Sequence, residues 1–415
     1  MTTYTITPPA SLRANIQLPA SKSISNRALI IHALSGGGIL PRNLSDCDDT
    51  EVMIRALHDM PAEIDIKAAG TAMRFMAAYL SCTPGTHVLT GTNRMKQRPI
   101  RTLVNALRYL GGDIRYLEEE GFPPLQINGK TLEGGRLEIP GNVSSQYISA
   151  LLMIGPTLQK GLELRMTGEI VSRPYIDLTL CTMRDFGAVA DWSDIDTITV
   201  KPSAYKSRPY LIENDWSASS YWYEMMALTA DDNAEIALEG LMDGSRQGDS
   251  VVKYIFSLLG VKTQFASTDC CKPTTVRLKR HRCMLPKLEY DFVNSPDLAQ
   301  TLVTTCCGMG IPFHFTGLAS LKIKETDRIV ALKTELRKLG FVLTDVNGDT
   351  LTWDGRRCEP TGEAVETYED HRMAMALAPM AMKLGSIRIN HPEVVSKSYP
   401  RFWDDLKRAG FGITD

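Results

Sequence analysis

The sequence lacks an excess of charge of either sign. Its 46 Lys and Arg residues nearly balance its 48 Asp and Glu residues, so the formal net charge is −2 and the pI is near 6.4. A protein that binds nucleic acid or an anionic membrane through its overall field is usually strongly basic. Neither partner is therefore expected, and any anion site must be local.

Long apolar runs are also missing. No segment reaches the roughly 18 uninterrupted apolar residues of a membrane-spanning helix. The opening stretch M-T-T-Y-T-I-T-P-P has neither the basic start nor the apolar run of a secretory signal. We therefore expect a cytoplasmic protein.

The cysteines show no pattern of a structural framework. There are nine, an odd number, without C-x-x-C spacing. Two pairs are adjacent in sequence, Cys270 with Cys271 and Cys306 with Cys307. This usage argues against a disulfide scaffold or a zinc site. Cys181, Cys306 and Cys307 lie in apolar helical contexts that predict buried thiols.

A weak internal repeat organises the chain. At 415 residues, two domains of about 200 residues each are expected. Six amphipathic segments each end in a turn and lead into a short strand-like run, starting at Ile54, Val104, Leu180, Val252, Leu332 and Phe402. Glycines fit the left-handed position after five of them, at Gly111, Gly187, Gly260, Gly340 and Gly410. Three α/β units per domain follow, with the division near Arg208 to Glu213.

The predicted helix starts are unusually polar. In L-P-A-S-K-S-I-S-N-R-A-L-I-I-H-A-L, from Leu18 to Leu34, a lysine, three serines, an asparagine and an arginine precede an apolar helix. One capping side chain would satisfy a helix end. The starts A-G-T-A-M-R, N-V-S-S-Q, D-W-S-A-S-S, N-S-P-D and E-D-H-R are similar. Because helix amino ends favour anions, several such starts together predict a pocket for a multiply anionic substrate.

Charged residues at these starts extend the prediction. The cations are Lys22, Arg27, Arg74, Arg98, Lys324, Arg328, Arg372 and Lys397. The candidate acids and bases are Asp297, Glu325, Asp370 and His371, since carboxylates and imidazoles among cations can transfer protons. The spacing in K-E-T-D-R predicts that Lys324 and Arg328 share one helix face.

Simpler interpretations exist for individual residues. Ser21, Ser144, Ser217 and Asp297 could each be an N-cap. The acidic run D-C-D-D-T from Asp46 resembles a metal loop, but capping is favoured because no further spaced carboxylates follow. Glu335 and Lys338 look like solvated helix charges. A cap needs only one oxygen, so the repetition of these motifs favours the anion pocket.

The ordered motifs resemble one family. P-A-S-K-S-I-S-N-R-A-L, A-G-T-A-M-R, R-M-K-Q-R-P-I, V-S-S-Q, S-R-P-Y-I-D, S-P-D, K-E-T-D-R, D-H-R-M-A-M and S-K-S-Y-P run from Leu18 to Leu406. Together they are similar to the 5-enolpyruvylshikimate-3-phosphate (EPSP) synthases. The resemblance implies the two-domain α/β enolpyruvyl transferase fold, with three repeated units per domain and helix amino ends facing an interdomain cleft. It implies a discontinuous domain 1 of residues 1–19 plus 214–415, and a domain 2 of residues 20–213.

The resemblance also implies an activity. These enzymes transfer the enolpyruvyl group of phosphoenolpyruvate to the 5-hydroxyl of shikimate 3-phosphate and release phosphate, without a metal or organic cofactor. We expect a monomer whose partners are these two small molecules, working in aromatic amino-acid biosynthesis.

Site residues follow by motif. The phosphorylated shikimate would be held by Lys22, Ser23, Arg27, Ser144, Ser145, Gln146, Ser172, Tyr175, Asp297 and Lys324. Phosphoenolpyruvate would be held by Lys22, Gly70, Arg98, Gln146, Arg328, Arg372 and Lys397. The catalytic set is Lys22, Asp297, Glu325, His371 and Lys397, with Glu325 protonating the methylene carbon and Asp297, helped by Lys22, taking the hydroxyl proton.

Two positions depart from the family pattern. Ala68 stands where an asparagine usually contacts the phosphate of phosphoenolpyruvate, and Ser320 stands where an asparagine often contacts the shikimate phosphate. Activity with weaker substrate binding is therefore expected.

Two other functions remain open. The sister enzyme that uses UDP-N-acetylglucosamine typically has a cysteine before its R-P motif, which T-G-T-N-R-M-K-Q-R-P-I lacks. A non-catalytic anion-binding protein would not need Lys22, Asp297 and Glu325 together.

Overall fold

The computed structural model describes residues 2–415, which divide into two compact units. Unit 1 comprises Met1–Pro19 with Glu213–Asp415, and unit 2 comprises Ala20–Ile212. Met1, the first residue of the predicted domain 1, lies outside the described residues.

Residues 2–415 contain α-helices α1 to α14. They are Lys22–Leu34, Asp48–Asp59, Gly70–Cys82, Asn93–Lys96, Arg101–Tyr109, Ser145–Ile154, Arg173–Asp185, Trp216–Leu228, Val252–Leu258, Ala299–Met309, Arg328–Lys338, His371–Leu377, Ala381–Leu384 and Phe402–Arg408. Short 3₁₀ helices adjoin several of them, including Gly248–Val251, Pro296–Leu298, Ala319–Ile323 and Pro392–Lys397.

The same residues form strands β1 to β19. They are Thr3–Thr7, Arg13–Gln17, Glu63–Asp65, Gly85–Thr90, Asp113–Tyr116, Leu125–Gly129, Gly135–Pro140, Leu162–Thr167, Ala190–Trp192, Thr197–Val200, Glu235–Leu241, Val261–Phe265, Thr274–Arg280, Leu288–Asp291, Phe313–Thr316, Thr344–Val346, Thr350–Trp353, Ile387–Asn390 and Gly412–Thr414.

The strands form five small sheets. Unit 2 has the orders β3-β4-β6-β5 and β7-β8-β10-β9, and unit 1 has β12-β13-β11-β2, β14-β15-β17-β16 and β18-β1-β19. The amino-terminal strands belong to unit 1 because β2 pairs parallel with β11 and β1 pairs antiparallel with both β18 and β19. The ladder hydrogen bonds of β1 and β2 therefore attach the chain start to a unit otherwise formed by its second half.

Each unit buries its own apolar core. The core of unit 1 contains Trp216, Trp222 and Phe315, and the core of unit 2 contains Phe75 and Phe186. At about 200 residues each, both units are large enough to sustain such a core.

The predicted helix-turn-strand repeat is present six times. The helices α2, α5, α7, α9, α11 and α14 each lead into a short strand. All five predicted glycines have positive φ, between 87° and 104°, as a helix C-terminal glycine requires. The first copy turns instead at Met60, with φ of 41°. The glycine prediction is confirmed at these five positions.

The six copies do not supply six sheets. Strands β3 and β5, from the first and second copies, join the same sheet. Between α1 and α2 the described chain makes only an isolated parallel bridge, Arg42 with Leu211. That part of unit 2 therefore rests on helix packing instead of on a sheet of its own. Over residues 2–415, every helix is too short or too polar to cross a membrane.

Candidate active site

A buried arginine organises the charged residues of unit 1. Arg328 is 1% exposed and begins α11. Its guanidinium donates to Asp370 through Nε at 2.7 Å and Nη2 at 3.2 Å, to Asp297 at 3.1 Å and to Glu325 at 2.9 Å. Burial by itself lowers the pKa of Arg328, but these carboxylates, led by Asp370, outweigh burial and raise it. Arg328 is therefore a permanently charged centre.

Asp297 lies among three cations. It lies in the 3₁₀ helix Pro296–Leu298, whose N-cap is Ser295, so the simpler interpretation of Asp297 as an N-cap is wrong. Its carboxylate accepts from Arg372 at 3.0 Å and lies 3.6 Å from Lys324 Nζ. Burial raises the pKa of Asp297, but the nearby cations, Arg372 first, outweigh it and place the pKa far below its usual range. Asp297 is thus ionised at neutral pH.

Glu325 bridges two further cations. Its Oε2 accepts from Arg328, and its Oε1 lies 3.3 Å from Lys397 Nζ. Lys397 ends the 3₁₀ helix Pro392–Lys397. The side chain of Glu325 is 14% exposed and that of Lys397 is 10% exposed. This nearly buried carboxylate and ammonium group therefore form an ion pair within the charged cluster.

The prediction that Lys324 and Arg328 share a helix face is wrong. The side chain of Asp327 accepts hydrogen bonds from Ile329 N and Val330 N, so it caps a helix that begins only at Arg328. Lys324 has extended backbone, with ψ of −151°. Because the cap places the helix start at Arg328, four residues after Lys324, Lys324 reaches Asp297 from a loop.

The D-H-R motif opens α12 as predicted. Asp370 is fully buried and its side chain caps the helix by accepting from Arg372 N at 3.0 Å. His371 is 2% exposed, with Nδ1 3.6 Å from Asp370 Oδ1. The motif therefore joins the cluster through the cap of α12 and through the ion pair of Asp370 with Arg328.

Helix α8 and the following turn add residues that the sequence analysis missed as site residues. Asp215, not Ser217, caps α8, and Ser217 Oγ donates to the buried Asp249. Tyr221 OH lies 3.5 Å from Arg372 Nη1. Burial, then the charge of Asp297, raise the pKa of Asp249 to about 6. The polar run R-Q-G-D-S around Asp249 was the available signal.

Glu335 is buried, contrary to prediction. It is 0% exposed and accepts from Lys338 at 2.8 Å, Glu366 N at 2.9 Å and Tyr368 OH at 2.5 Å. Tyr368 and Glu369, just before Asp370, both have φ of 55°. Because this left-handed backbone is unfavourable for side-chain-bearing residues, the hydrogen bonds to Glu335 help to hold the segment that leads into D-H-R.

In unit 2, the start of α3 lies against Arg98. Arg98 is 7% exposed, and a methyl group added to Gly70 would lie 2.6 Å from its Nη1. Ala68, the departure from the family pattern, lies two residues before Gly70 and just ahead of the N-cap Ala69. Glycine at position 70 therefore allows the Arg98 guanidinium to approach the amino end of α3.

The start of α1 is linked to an acid from the D-C-D-D-T run. Lys22 Nζ lies 3.1 Å from Asp49 Oδ2, and Asp49 is 4% exposed. The expected N-cap oxygen is absent, since the N-cap of α2 is Cys47 without a side-chain cap bond. Asp49 therefore acts as the partner of Lys22, a role that sequence reasoning missed.

Arg27 connects three helix starts. It donates to Ser23 O, Thr179 Oγ1, Ser149 Oγ and Tyr175 O at 2.7 to 3.2 Å. Burial lowers the pKa of Arg27 to about 10. Its predicted substrate contact would have to compete with these bonds.

The remaining predicted residues of unit 2 also lie at helix starts. Ser144 caps α6, Ser145 begins it, and Gln146 reaches Thr71 of α3 through Nε2 at 3.2 Å. Ser172 precedes α7 with φ of 56°. Four helix starts of this unit are thus connected through side chains, as an anion site built from helix amino ends requires.

Residues 2–415 contain no group of three or more His, Cys, Asp or Glu side chains placed to hold a metal ion.

Comparisons with known proteins agree with these motifs. The family model described as EPSP synthase (3-phosphoshikimate 1-carboxyvinyltransferase) matches residues 6–65 and 59–406. A 3-phosphoshikimate 1-carboxyvinyltransferase from Bacteroides fragilis (strain ATCC 25285) is 59% identical over 411 residues, covering 99% of this chain and 98% of the relative. The protein of that name from Vibrio atlanticus is 34% identical, covering 98% and 99%.

Solved structures support the fold. An EPSP synthase from Acinetobacter baumannii superposes with a TM-score of 0.77 at 20% identity, covering all of both chains. The enolpyruvyl transferase NikO from Streptomyces tendae has a TM-score of 0.71 at 16% identity, covering 99% and 98%. The predicted two-domain enolpyruvyl transferase fold is confirmed, and the chain belongs to the EPSP synthase family.

Proposed function

We propose that this protein transfers the enolpyruvyl group of phosphoenolpyruvate to the 5-hydroxyl of shikimate 3-phosphate and releases phosphate. The observation that carries this proposal is the pair of carboxylates, Asp297 and Glu325, held among Arg328, Arg372 and Lys397. A site that only binds anions needs the cationic side chains, whereas the two carboxylates would repel an anion. Proton transfer needs both.

The proposed substrate contacts are the residues of the family motifs. Shikimate 3-phosphate is bound by Lys22, Ser23, Arg27, Ser144, Ser145, Gln146, Ser172, Tyr175, Asp297 and Lys324. Phosphoenolpyruvate is bound by Lys22, Gly70, Arg98, Gln146, Arg328, Arg372 and Lys397. Charge-assisted hydrogen bonds of about 1.5 to 3 kcal/mol each supply most of the binding free energy.

Glu325 is the proton donor and acceptor for the methylene carbon. Protonation of the enol ether makes the adjacent carbon cationic, and the 5-hydroxyl attacks it to form a tetrahedral intermediate. Glu325 then recovers a methyl proton while phosphate leaves. Lys397, in contact with Glu325, and His371 at the start of α12 complete the catalytic set.

Asp297 receives the hydroxyl proton with help from Lys22. In the ligand-free chain three cations keep Asp297 strongly acidic, which makes it a poor base. Anionic substrates compete for Arg372 and Lys324, and the loss of these contacts raises the pKa of Asp297. Substrate binding itself thus activates the base.

Arginines stabilise the departing phosphate. Arg328, Arg372 and Arg98 carry fixed charge that needs no reorganisation during the reaction. With Ala68 and Ser320 in place of amide side chains, we expect weaker phosphate binding without loss of chemistry, since a water can bridge the gap. We place the enzyme in the cytoplasm as a monomer, with its two domains corresponding to units 1 and 2.

The test measures phosphate release from phosphoenolpyruvate in the presence of either acceptor. Release with shikimate 3-phosphate and none with UDP-N-acetylglucosamine is expected. Release only with the sugar nucleotide would assign the sister activity, and saturable binding without release to either would indicate a non-catalytic anion-binding protein.

A further inference from the structure

A pair of adjacent thiols lies at the surface of unit 1, apart from the charged cluster. Cys270 and Cys271 are both exposed, in the loop between β12 and β13. Their Sγ atoms are 3.7 Å apart. Consecutive side chains of a strand point to opposite faces, so this closeness needs a special backbone.

A hydrogen-bonded turn supplies that backbone. Lys272 N donates to Asp269 O at 3.4 Å, which makes the two cysteines the central residues of a β-turn. The Asp269 side chain accepts from Cys271 N at 3.0 Å. Gly244 N donates to Cys270 O at 2.9 Å. These bonds hold the backbone of the turn from inside and from a neighbouring segment, and on this backbone the two thiols lie side by side.

The sulfur separation suits a bridging ion better than a disulfide. Two thiolates bound at about 2.3 Å with a tetrahedral angle, as on zinc, lie about 3.8 Å apart. A disulfide needs about 2.05 Å, and its Cα atoms are usually 4.4 to 6.8 Å apart, against about 3.8 Å for adjacent residues. The pair can therefore hold a soft ion with little movement, whereas closing the disulfide would distort the turn.

The number of ligands selects the kind of ion. Within residues 2–415 no cluster of three or more His, Cys, Asp or Glu side chains is placed to hold a metal ion, so the pair provides two sulfur ligands. Zinc needs four ligands and would keep a weak, water-filled coordination sphere. A monosubstituted trivalent arsenical has two exchangeable positions and prefers sulfur, as soft acceptors do.

We propose that Cys270 and Cys271 form a bidentate binding site for monosubstituted trivalent arsenicals. In the reaction two As–O bonds break, two As–S bonds form, and the two thiol protons leave with the displaced hydroxides as two water molecules. No electrons are transferred. The hydrogen bond between the thiols of Cys270 and Cys271, and then the charge of Cys270, raise the pKa of Cys271.

The second adjacent pair provides an internal contrast. Cys306 and Cys307 lie in α10 and are 0% and 1% exposed. Burial raises the pKa of both thiols well above its usual range. This pair should not react, although it has the same sequence spacing.

The experiment treats the reduced full-length protein with one equivalent of phenylarsine oxide and measures intact mass and free thiols. We expect one phenylarsenic group per chain and the loss of two titratable thiols. The adduct should survive excess monothiol, which cannot chelate, and be reversed by a small dithiol.

Cys270→Ser and Cys271→Ser should each lower adduct formation at least about tenfold in a competition with a small dithiol, equivalent to about 1.4 kcal/mol. Cys283→Ser, which removes a single thiol outside the pair, should leave it unchanged. Because both substitutions lie in an exposed turn, far-ultraviolet circular dichroism should match the parent. An adduct that persists in both serine variants would overturn the proposal, as would a parent chain that oxidises to a disulfide instead of taking up arsenic.

Discussion

Arg328 and Asp370 form a bidentate ion pair in which both side chains are almost completely buried. Two of the guanidinium nitrogens of Arg328 donate to the two carboxylate oxygens of Asp370, which is 0% exposed. Because the same guanidinium also contacts Glu325 and Asp297, this pair sets the position of both proposed proton-transfer residues.

Removing both partners should cost less stability than the two single changes added together. Asp370→Ala leaves the buried charge of Arg328 partly uncompensated and removes the cap of α12, so a loss of about 3 to 5 kcal/mol is expected. Asp370→Ala combined with Arg328→Met should lose clearly less than the sum of the single changes. Urea unfolding of the four proteins measures this. Additive losses would mean that the pair is not coupled.

Glu325→Gln should reduce turnover by about 100-fold or more while changing substrate affinities little. The amide keeps the size of the side chain and loses the transferable proton. Steady-state kinetics with both substrates measures the two effects separately. Glu363→Gln, an exposed carboxylate outside the cluster, is the matched control. Unchanged turnover of Glu325→Gln would remove this residue from the mechanism.

Gly70→Ala should impair binding of phosphoenolpyruvate without unfolding the protein. The new methyl group meets the end of the Arg98 side chain at 2.6 Å, so the guanidinium moves away from the amino end of α3. We expect the KM for phosphoenolpyruvate to rise about tenfold or more. The free energy of unfolding should change by less than about 1 kcal/mol, because alanine favours the helix. An unaffected KM would show that binding of phosphoenolpyruvate does not depend on the place of the Arg98 guanidinium beside Gly70.

Glu213 should make stability depend on pH. Burial raises its pKa from 4.5 to about 7, and Ser245 Oγ donates to it at 2.8 Å. The Glu213 carboxyl group holds its proton more tightly in the folded state than in the unfolded state. The stabilisation from this proton is therefore complete below pH 4.5 and is lost as the pH rises through about 7.

Glu213→Gln should remove this pH dependence. Its free energy of unfolding relative to the parent should increase by up to about 3 kcal/mol between pH 5 and pH 8, since each pKa unit is worth about 1.4 kcal/mol. Urea unfolding at several pH values measures the difference. A constant difference would assign Glu213 the same pKa in both states.

Tyr368→Phe should lower turnover only by loosening the segment that leads into the D-H-R motif. The substitution removes the hydroxyl that donates to Glu335 at 2.5 Å, beside a backbone held at φ of 55°. We expect about 1 to 1.5 kcal/mol less stability. Turnover should fall while its pH profile keeps the shape of the parent, because no titrating group of the chemistry is changed. An altered profile would indicate a direct role in proton transfer.

Local signals predicted the elements of the fold well. Gly111, Gly187, Gly260, Gly340 and Gly410 were identifiable because only glycine adopts the left-handed turn after a helix without strain. The helix starts at Lys22, Gly70, Ser145 and Trp216 were visible for the same local reason, a polar group placed just before an apolar periodic run.

Errors arose where a distant partner decides the role of a residue. Glu335 has the sequence spacing of a solvated helix charge, yet Tyr368 and Glu366 N cover it. Asp49 carries no local mark that distinguishes it from a capping acid, yet its partner is Lys22, 27 residues away. Lys324 was assigned to a helix because the spacing to Arg328 permits one, and the cap at Asp327 prevented it.

The sequence by itself determined the helix-turn-strand repeat, the polar helix starts and the family, because each depends on residues within a few positions of one another or on their order along the chain. Only the tertiary structure decided which charges meet. Asp297, Arg328 and Arg372 are dozens of residues apart, and packing of α10, α11 and α12 brings the guanidinium groups of Arg328 and Arg372 to 3.1 and 3.0 Å from the Asp297 carboxylate. Burial then determines which carboxylates remain ionised and which retain a proton, since desolvation and neighbouring charge act only through the folded state.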